Sequence, residues 1–400
     1  MAAGQSREAA WVRWVRVGLL LAGAPLAAMV QIALLPAMTQ LAQRLSENGA
    51  DGAFRAQLVM TIAAPAMAVG APLIGWLAER IGKRRTFLGA ALVYALAGFG
   101  GAFAPDFWTL LATRVLLGLA SVGLITVAMA IVGESYSGAA RDRIIGWITF
   151  VGSAGSLLIL AVAGPMAEAG GWRAPFALYL VGIVVFLLAL PTIVEKRHAT
   201  AAAEIMEDAS IRGAIPLFVL TVVLSIVMYM LTIQGPLALA GKGFTDPTIQ
   251  SVIIMMTIVG TMVTSGLFGF VRARLGFSTI LAMTFVGLGL GVVGFGVTAN
   301  VVALGLFSLV VGLGSGFIQP LTQSEILGRV PRAASARAMG IAVGCIFMGQ
   351  LLHPFVLKPI RLRFGVDDAF LYVGGASLAG AALTLAWRAT KGMRRAAPAR

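Results

Sequence analysis

Arg114 stands within the otherwise uncharged run 107–133. A charge at mid-bilayer costs about 2.5–3.5 kcal/mol on insertion scales, so an ionisable residue there points first to function. The structural alternative is an arginine that snorkels outward or bonds to the carbonyls of a neighbouring helix. A second cluster, Gly75-Trp76-Leu77-Ala78-Glu79-Arg80-Ile81-Gly82-Lys83-Arg84-Arg85, sets one acid and four bases around a glycine turn between two apolar runs. Gly82 permits a tight turn, and opposite charges held on it can form a breakable latch. Glu134, at the end of the Arg114 run, is the expected partner of Lys83 or Arg84. For Arg85 the plain orientation charge is the preferred reading. His353, near the outer end of a later run, titrates near neutrality when unperturbed. It could couple protons, or beside Pro354 it could simply cap local structure. The chain has two histidines, His198 and His353, and one cysteine, Cys345. It carries no metal-spaced Cys/His cluster, no phosphate-cradling loop with its lysine and no nucleophile elbow. We therefore expect no catalytic residue, no metal and no cofactor, and a driving force that is an ion or solute gradient.

The elements that position these residues follow from composition. Of 400 residues 59% are hydrophobic and 12% charged, with a mean hydropathy of +0.93, against roughly 25% charged in an average soluble domain. That excludes an ordinary soluble globule. A span needs about 20 mostly apolar residues, and uncharged runs recur at 17–43, 56–78, 86–105, 107–133, 144–167 and 174–194. After a polar stretch, 195–212, come 213–241, 247–271, 275–324, 338–357 and 369–387. The Thr298-Ala299-Asn300 turn divides the longest, giving twelve spans. With the N-terminus inside, 22 of the 30 Lys and Arg residues fall on the cytoplasmic side, which fixes orientation and accounts for the net charge of +14 without nucleic acid. Residues 1–10 lack the order of a cleavable signal, so the first run reads as a retained span.

One offset, 194 residues, lays Gly75 over Gly269, Gly82 over Gly276 and Gly118 over Gly312. Both halves also share the order span, basic turn, span. Parallel six-span repeats imply a pseudo-twofold along the membrane normal and a cavity where the halves meet.

The Gly75 to Arg85 stretch resembles the signature loop of the major facilitator superfamily: a glycine, three residues, an acid, a base, one residue, a glycine and two bases. Glu79 stands where the family usually has aspartate. Twelve spans, the repeat and the linker extend the resemblance over essentially the whole chain. The setting of Arg114, Leu111-Ala112-Thr113-Arg114-Val115-Leu116-Leu117-Gly118, resembles the family's fourth-helix motif, whose arginine is implicated in proton coupling or anion recognition; Leu117 replaces a frequent glutamine. The chain departs from drug/proton antiporters in two ways. Ile159-Leu160 stands at the position of the fifth-helix Gly-Pro pair, and span one carries no acid.

The resemblance implies an all-α polytopic membrane protein with twelve transmembrane helices in two pseudo-symmetric six-helix bundles, residues 1–194 and 213–400, joined by a cytoplasmic linker at 195–212. It implies gating by Gly75, Glu79, Arg80, Gly82, Lys83, Arg84 and Glu134, with Glu79 facing the N-terminus of the eleventh span. It places Arg114 as a coupling or substrate group. Gln31, Ser121, Tyr229, Gln234 and Gln319 become cavity candidates, or else interhelical hydrogen-bonding groups. The function expected is proton-coupled efflux of a small organic solute by alternating access. The first alternative is a proton symporter or facilitator importing a metabolite, including an anion. From another class, the chain could be a non-transporting receptor or assembly protein of the same fold. Partners are the solute, protons and the lipid bilayer, with no nucleic acid. The protein is expected to work as a monomer in a bacterial inner membrane, both termini cytoplasmic.

Overall fold

The computed structural model describes residues 10–46, 52–193 and 211–396. Most of the expected linker, 195–210 with His198, lies outside the described residues. Among the described residues every regular element is an α-helix or a 3-10 helix. In a hydrocarbon setting each backbone N–H and C=O must be satisfied within its own segment, and a helix does this.

Among the described residues eleven helical stretches are long and apolar enough to cross a bilayer. One of them, Gly138–Thr192, has 55 residues, more than twice a span's length. It divides at Gly171, whose φ of +68° is left-handed backbone that a Cβ would oppose. The spans among the described residues are therefore twelve. Spans one to four are Trp14–Ala37, Arg55–Ile81, Lys83–Phe103 and Phe107–Ser135. Span five is Gly138–Gly170, and span six runs from the 3-10 stretch Gly171–Leu180 into Val181–Thr192. Spans seven to twelve are Arg212–Gly241, Ile249–Arg274, Phe277–Val297, Val301–Arg329, Arg332–Phe364 and Val366–Arg388.

Local chemistry sets the boundaries. Asn300 caps span ten, its Oδ1 accepting from the Val302 and Ala303 N–H groups at 3.0 and 3.1 Å, so the 275–324 run breaks where the polar turn stands. Asp106 caps span four in the same way, accepting from the Thr109 N–H at 2.8 Å and from its hydroxyl at 3.0 Å. Those bonds, the backbone one foremost, hold the Asp106 carboxyl below the usual aspartate range. Span seven is interrupted at Tyr229 (φ −81°, ψ 2°), between helices Ile215–Met228 and Met230–Gly241.

The chain divides into two compact units. The first comprises Met1–Tyr136, Ala154–Gly213 and Arg329–Phe347; the second comprises Ser137–Ser153, Ala214–Gly328 and Met348–Arg400. The opening of span five thus belongs to the second unit and the opening of span eleven to the first. Within the first unit, spans one, two and three pack on span four. Within the second, span ten packs on spans eight and nine, and span nine also packs on span twelve, with Phe295 stacked on Phe370 at 5.2 Å between ring centres.

Candidate functional site

The first unit holds the glycine-bounded acid and bases. Gly82, at φ 97° and ψ 146°, joins the end of span two to the start of span three in a conformation that strains any residue with a Cβ. Gly75, two turns earlier, lies against span eleven: a Cβ there would stand 2.5 Å from the Ala336 carbonyl oxygen and 3.1 Å from the Gly340 Cα. This close approach brings the Glu79 side chain, 5% exposed, to the start of the helix Ser335–Phe364. Its Oε1 accepts from the Arg337 backbone N–H at 2.8 Å, and its Oε2 lies 3.8 Å from the Arg337 Nε. The first N–H groups of a helix have no intrahelical acceptor and favour an anion. Across the turn, Lys83 Nζ pairs with Glu134 Oε1 at 2.6 Å, and Arg84 donates to the Leu190 carbonyl at 2.9 Å. Arg80 is drawn elsewhere, its guanidinium 4.0 Å from the centre of the Trp76 ring.

Arg114 lies deeper in the same unit, on span four, and is 1% exposed. Its Nη1 donates to the Tyr179 hydroxyl at 2.9 Å, and that hydroxyl donates to the Met29 carbonyl at 3.2 Å. The guanidinium carbon sits 4.9 Å from the Phe176 ring centre and 5.4 Å from that of Tyr179. Tyr94 backs the cage, edge-on to Tyr179 at 5.7 Å and bonded to the Leu26 carbonyl at 2.9 Å. Among the described residues nothing accepts from Arg114 Nε or Nη2. Span one therefore meets Arg114 through Met29 by way of Tyr179, and Gln31, two residues on, is half-buried. Ser121, seven residues along the same face, is fully buried and donates to the Gly118 carbonyl of its own helix at 2.8 Å.

The second unit holds the remaining candidates. Gln234, 5% exposed, lies between His353, 3.5 Å away, and Arg361, which donates to its Oε1 at 3.3 Å. Tyr229 is half-buried at the interruption of span seven. Gln319 is half-buried on the helix Ile318–Arg329; Gln323, one turn further along, is fully buried with neither amide atom partnered among the described residues. At the end of span eight Gly269 lies against the span-five opening, where a Cβ would stand 2.9 Å from the Arg143 Cα. Beside it Arg272 pairs with Glu325 at 2.9 Å and lies 3.9 Å from Asp142, which also accepts from the Ser324 hydroxyl. The repeat-related glycines, Gly75 and Gly269, thus each receive an opening from the other sequence half.

Sequence reasoning missed Tyr179, Arg337, Asp142, Arg272, Glu325, Arg361 and Gln323 as site residues. The Gln319–Gln323 spacing of four was a usable signal, since both must share a helix face. The aromatic repeat Phe176–Tyr179 was another. The charged residues gave only their contribution to orientation.

The sequence pattern of the family described as Major Facilitator Superfamily matches residues 17–354. The multi-drug resistance efflux pump PmrA of Streptococcus pneumoniae serotype 4 is 24% identical over 356 residues, covering 84% of this chain and 87% of that protein. The gentisate transporter of Corynebacterium glutamicum is 31% identical over 149 residues, 35% of this chain and 33% of that one. The crystal structure of the human organic anion transporter MFSD10 superimposes with a TM-score of 0.76 at 17% identity, over 93% of this chain and 99% of that one.

Proposed function

The chain belongs to the major facilitator superfamily, and we propose that within it this protein takes up a small organic anion, a carboxylate, together with protons. As a secondary transporter it moves a small solute by alternating access and is not an enzyme. The observation that carries the anion reading is Arg114: a fully buried cation with two of its three guanidinium nitrogens unpartnered among the described residues. Leaving a buried charge uncompensated costs several kcal/mol, and a planar guanidinium matches a carboxylate through paired N–H···O bonds. Phe176 and Tyr179, both beside the guanidinium, suit the apolar or aromatic body of such a solute. The partial likeness to a gentisate transporter is in keeping with this.

The two sequence halves, 1–194 and 213–400, are the bodies that rock, with the linker 195–212 between them. The Glu79–Arg337 contact, with Gly75 and Gly82 setting the backbone, forms the inside latch, while the Lys83–Glu134 pair and the Arg84 bond to span six fix the turn within the first half. Glu79 and Arg337 come from different sequence halves, so their contact must break for the halves to part. Orientation follows the positive-inside rule, with both termini cytoplasmic in a bacterial inner membrane. A second reading, export of an apolar drug in exchange for protons, draws on the nearly full-length likeness to PmrA.

The test is solute counterflow in proteoliposomes against a panel of radiolabelled aromatic and aliphatic carboxylates, alongside cationic dyes. A carboxylate should exchange, and Arg114→Gln should lower its exchange about a hundredfold while the protein stays monodisperse, corresponding to roughly 3 kcal/mol for a lost charged hydrogen-bond pair. Carboxylate exchange unchanged in Arg114→Gln would remove the anion reading, and exchange of cationic dyes alone would favour export.

A further inference from the structure

The second unit contains a chain of hydrogen bonds that the anion site does not use. His353 is fully buried on span eleven. Its Nδ1 lies 2.7 Å from the Ile226 carbonyl, which can only accept, so the hydrogen sits on Nδ1 and Nε2 is left as an acceptor. Facing Nε2 at 3.5 Å is the Gln234 amide nitrogen. The orientation of that amide is set from its other end, where Arg361 Nη1 donates to Oε1 at 3.3 Å and can do nothing else. Donors therefore run one way: Arg361 to Gln234, Gln234 to His353, His353 to Ile226. The chain ends three residues before Tyr229, where span seven is interrupted. Gly349, one turn before His353, seats span eleven against this stretch: a Cβ there would stand 2.9 Å from the Val222 carbonyl oxygen and 3.1 Å from the Ile226 nitrogen.

A second proton on the ring reverses this order. With Nε2 also a donor, it faces the donor end of Gln234. Both can be satisfied only if the amide rotates, giving Oε1 to His353 and turning its NH2 toward Arg361. Arg361 then loses its acceptor and meets a donor instead. Among the described residues no carboxylate is bonded to the ring. The charged groups on the stretches of those elements next to it are Lys242, just past the end of span seven, Lys358, Arg361 and Arg363 on its own span, and Asp367 and Asp368 at the start of span twelve; Tyr229 is the titratable neighbour on span seven. Lys242 and Asp367 are paired with each other at 3.0 Å. Added positive charge at His353 is thus relieved by moving Arg361 away. We propose that His353 is the proton-binding site of this transporter, with Gln234 relaying its protonation to Arg361 by rotation of the amide. This rests on the proton-coupled reading above and names the group that carries the coupling.

Two experiments test it on the full chain. The first needs no solute, so it is independent of whether the anion reading holds. In His198→Gln the remaining imidazole is His353, and its 15N signals can be followed by NMR in lipid nanodiscs. The neutral ring should be the Nδ1–H tautomer and should take up a second proton within the pH range over which the protein stays folded in the nanodisc. Gln234→Glu, which sets a carboxylate before Nε2, should raise the midpoint by about one pH unit or more. A ring that does not titrate in that range, or a midpoint unmoved by Gln234→Glu, overturns the proposal. The second compares counterflow with accumulation driven by an inwardly directed proton gradient, using the carboxylate that exchanges best. His353→Asn keeps a donor for Ile226 but has no second nitrogen to protonate. It should retain counterflow within about twofold and lose gradient-driven accumulation by about tenfold or more, equivalent to a coupling term of roughly 1.4 kcal/mol. Equal loss of both activities, or of neither, overturns the proposal. Wild-type protein that exchanges solute but ignores the gradient overturns both the proposal and the proton-coupled reading, leaving the anion reading intact.

Discussion

The Glu79 carboxylate accepts the backbone N–H of Arg337 at 2.8 Å, across 258 residues of sequence. The acid at the end of one span thereby supplies an acceptor that the opening turn of another span lacks. Gly344, further along that segment, lies against span two as well: a Cβ there would stand 2.9 Å from the Ala68 carbonyl oxygen. The next residue, Cys345, is the chain's single cysteine and is half-buried.

That cysteine reports on the contact. Glu79→Ala removes both the acceptor and the charge, whereas Glu79→Gln keeps an acceptor and loses only the charge. A carboxylate at a helix N-terminus with a charge-assisted bond contributes about 1–2 kcal/mol. Maleimide labelling of Cys345 in membranes should therefore quicken about tenfold in Glu79→Ala and less in Glu79→Gln. Labelling at the wild-type rate in both variants would show that this bond does not hold span eleven to span two.

Gly75→Ala tests the same approach through sterics. The new methyl carbon would stand 2.5 Å from the Ala336 carbonyl oxygen, closer than van der Waals contact allows, and backbone on both sides cannot swing aside as a side chain would. Overpacking of this kind costs about 1–3 kcal/mol. The expected result is a lower thermal midpoint for the purified protein together with faster Cys345 labelling. A variant as stable and as slow to label as wild type would mean that the spans adjust freely.

Lys83 and Glu134 are joined at 2.6 Å but remain 19% and 27% exposed, so water and salt screen the pair. Its coupling energy in a double-mutant cycle of Lys83→Met and Glu134→Gln, read from thermal midpoints, should be about 0.5–1 kcal/mol and should shrink at high salt. A coupling above about 3 kcal/mol would indicate a desolvated pair instead.

The spans were legible because uncharged length is a one-dimensional property: the number of spans, and the polar turn that Asn300 caps, can be read without knowing what packs on what. The side-chain sites were legible only by half. Arg114 announces itself as a charge in an apolar run, but its partner Tyr179 is 65 residues away, and a tyrosine among apolar residues reads equally well as packing. His353 and Gln234 are 119 residues apart, and only the crossing of spans seven and eleven brings them together. Asp142, Arg272 and Glu325 lie at span ends, where each charge already has a sufficient reason in orientation, so sequence gave no cause to join them. Where a residue satisfies one local rule, a second, tertiary role leaves no trace in its spacing.

Tyr179 separates the two parts of the Arg114 site. Its hydroxyl is the hydrogen-bond partner of Nη1 and is itself held by the Met29 carbonyl, so it fixes which way the guanidinium points while leaving Nε and Nη2 available. Tyr179→Phe keeps the ring, its contact with the cation and its edge-on packing on Tyr94, and deletes only the hydroxyl. Arg114 then keeps its charge and loses its orientation, at a cost of about 1–3 kcal/mol for the buried donor left unpaired. If Arg114 receives a carboxylate, the half-saturating solute concentration in counterflow should rise about tenfold with maximal exchange changed by less than about threefold, since solute binding would suffer before the rocking step. Arg114→Lys, a point charge without the planar fork, should show the same weakening in a steeper form. Half-saturation unmoved by Tyr179→Phe, with Arg114→Gln still inactive, would mean that Arg114 acts through its charge alone and that the tyrosine does not aim it.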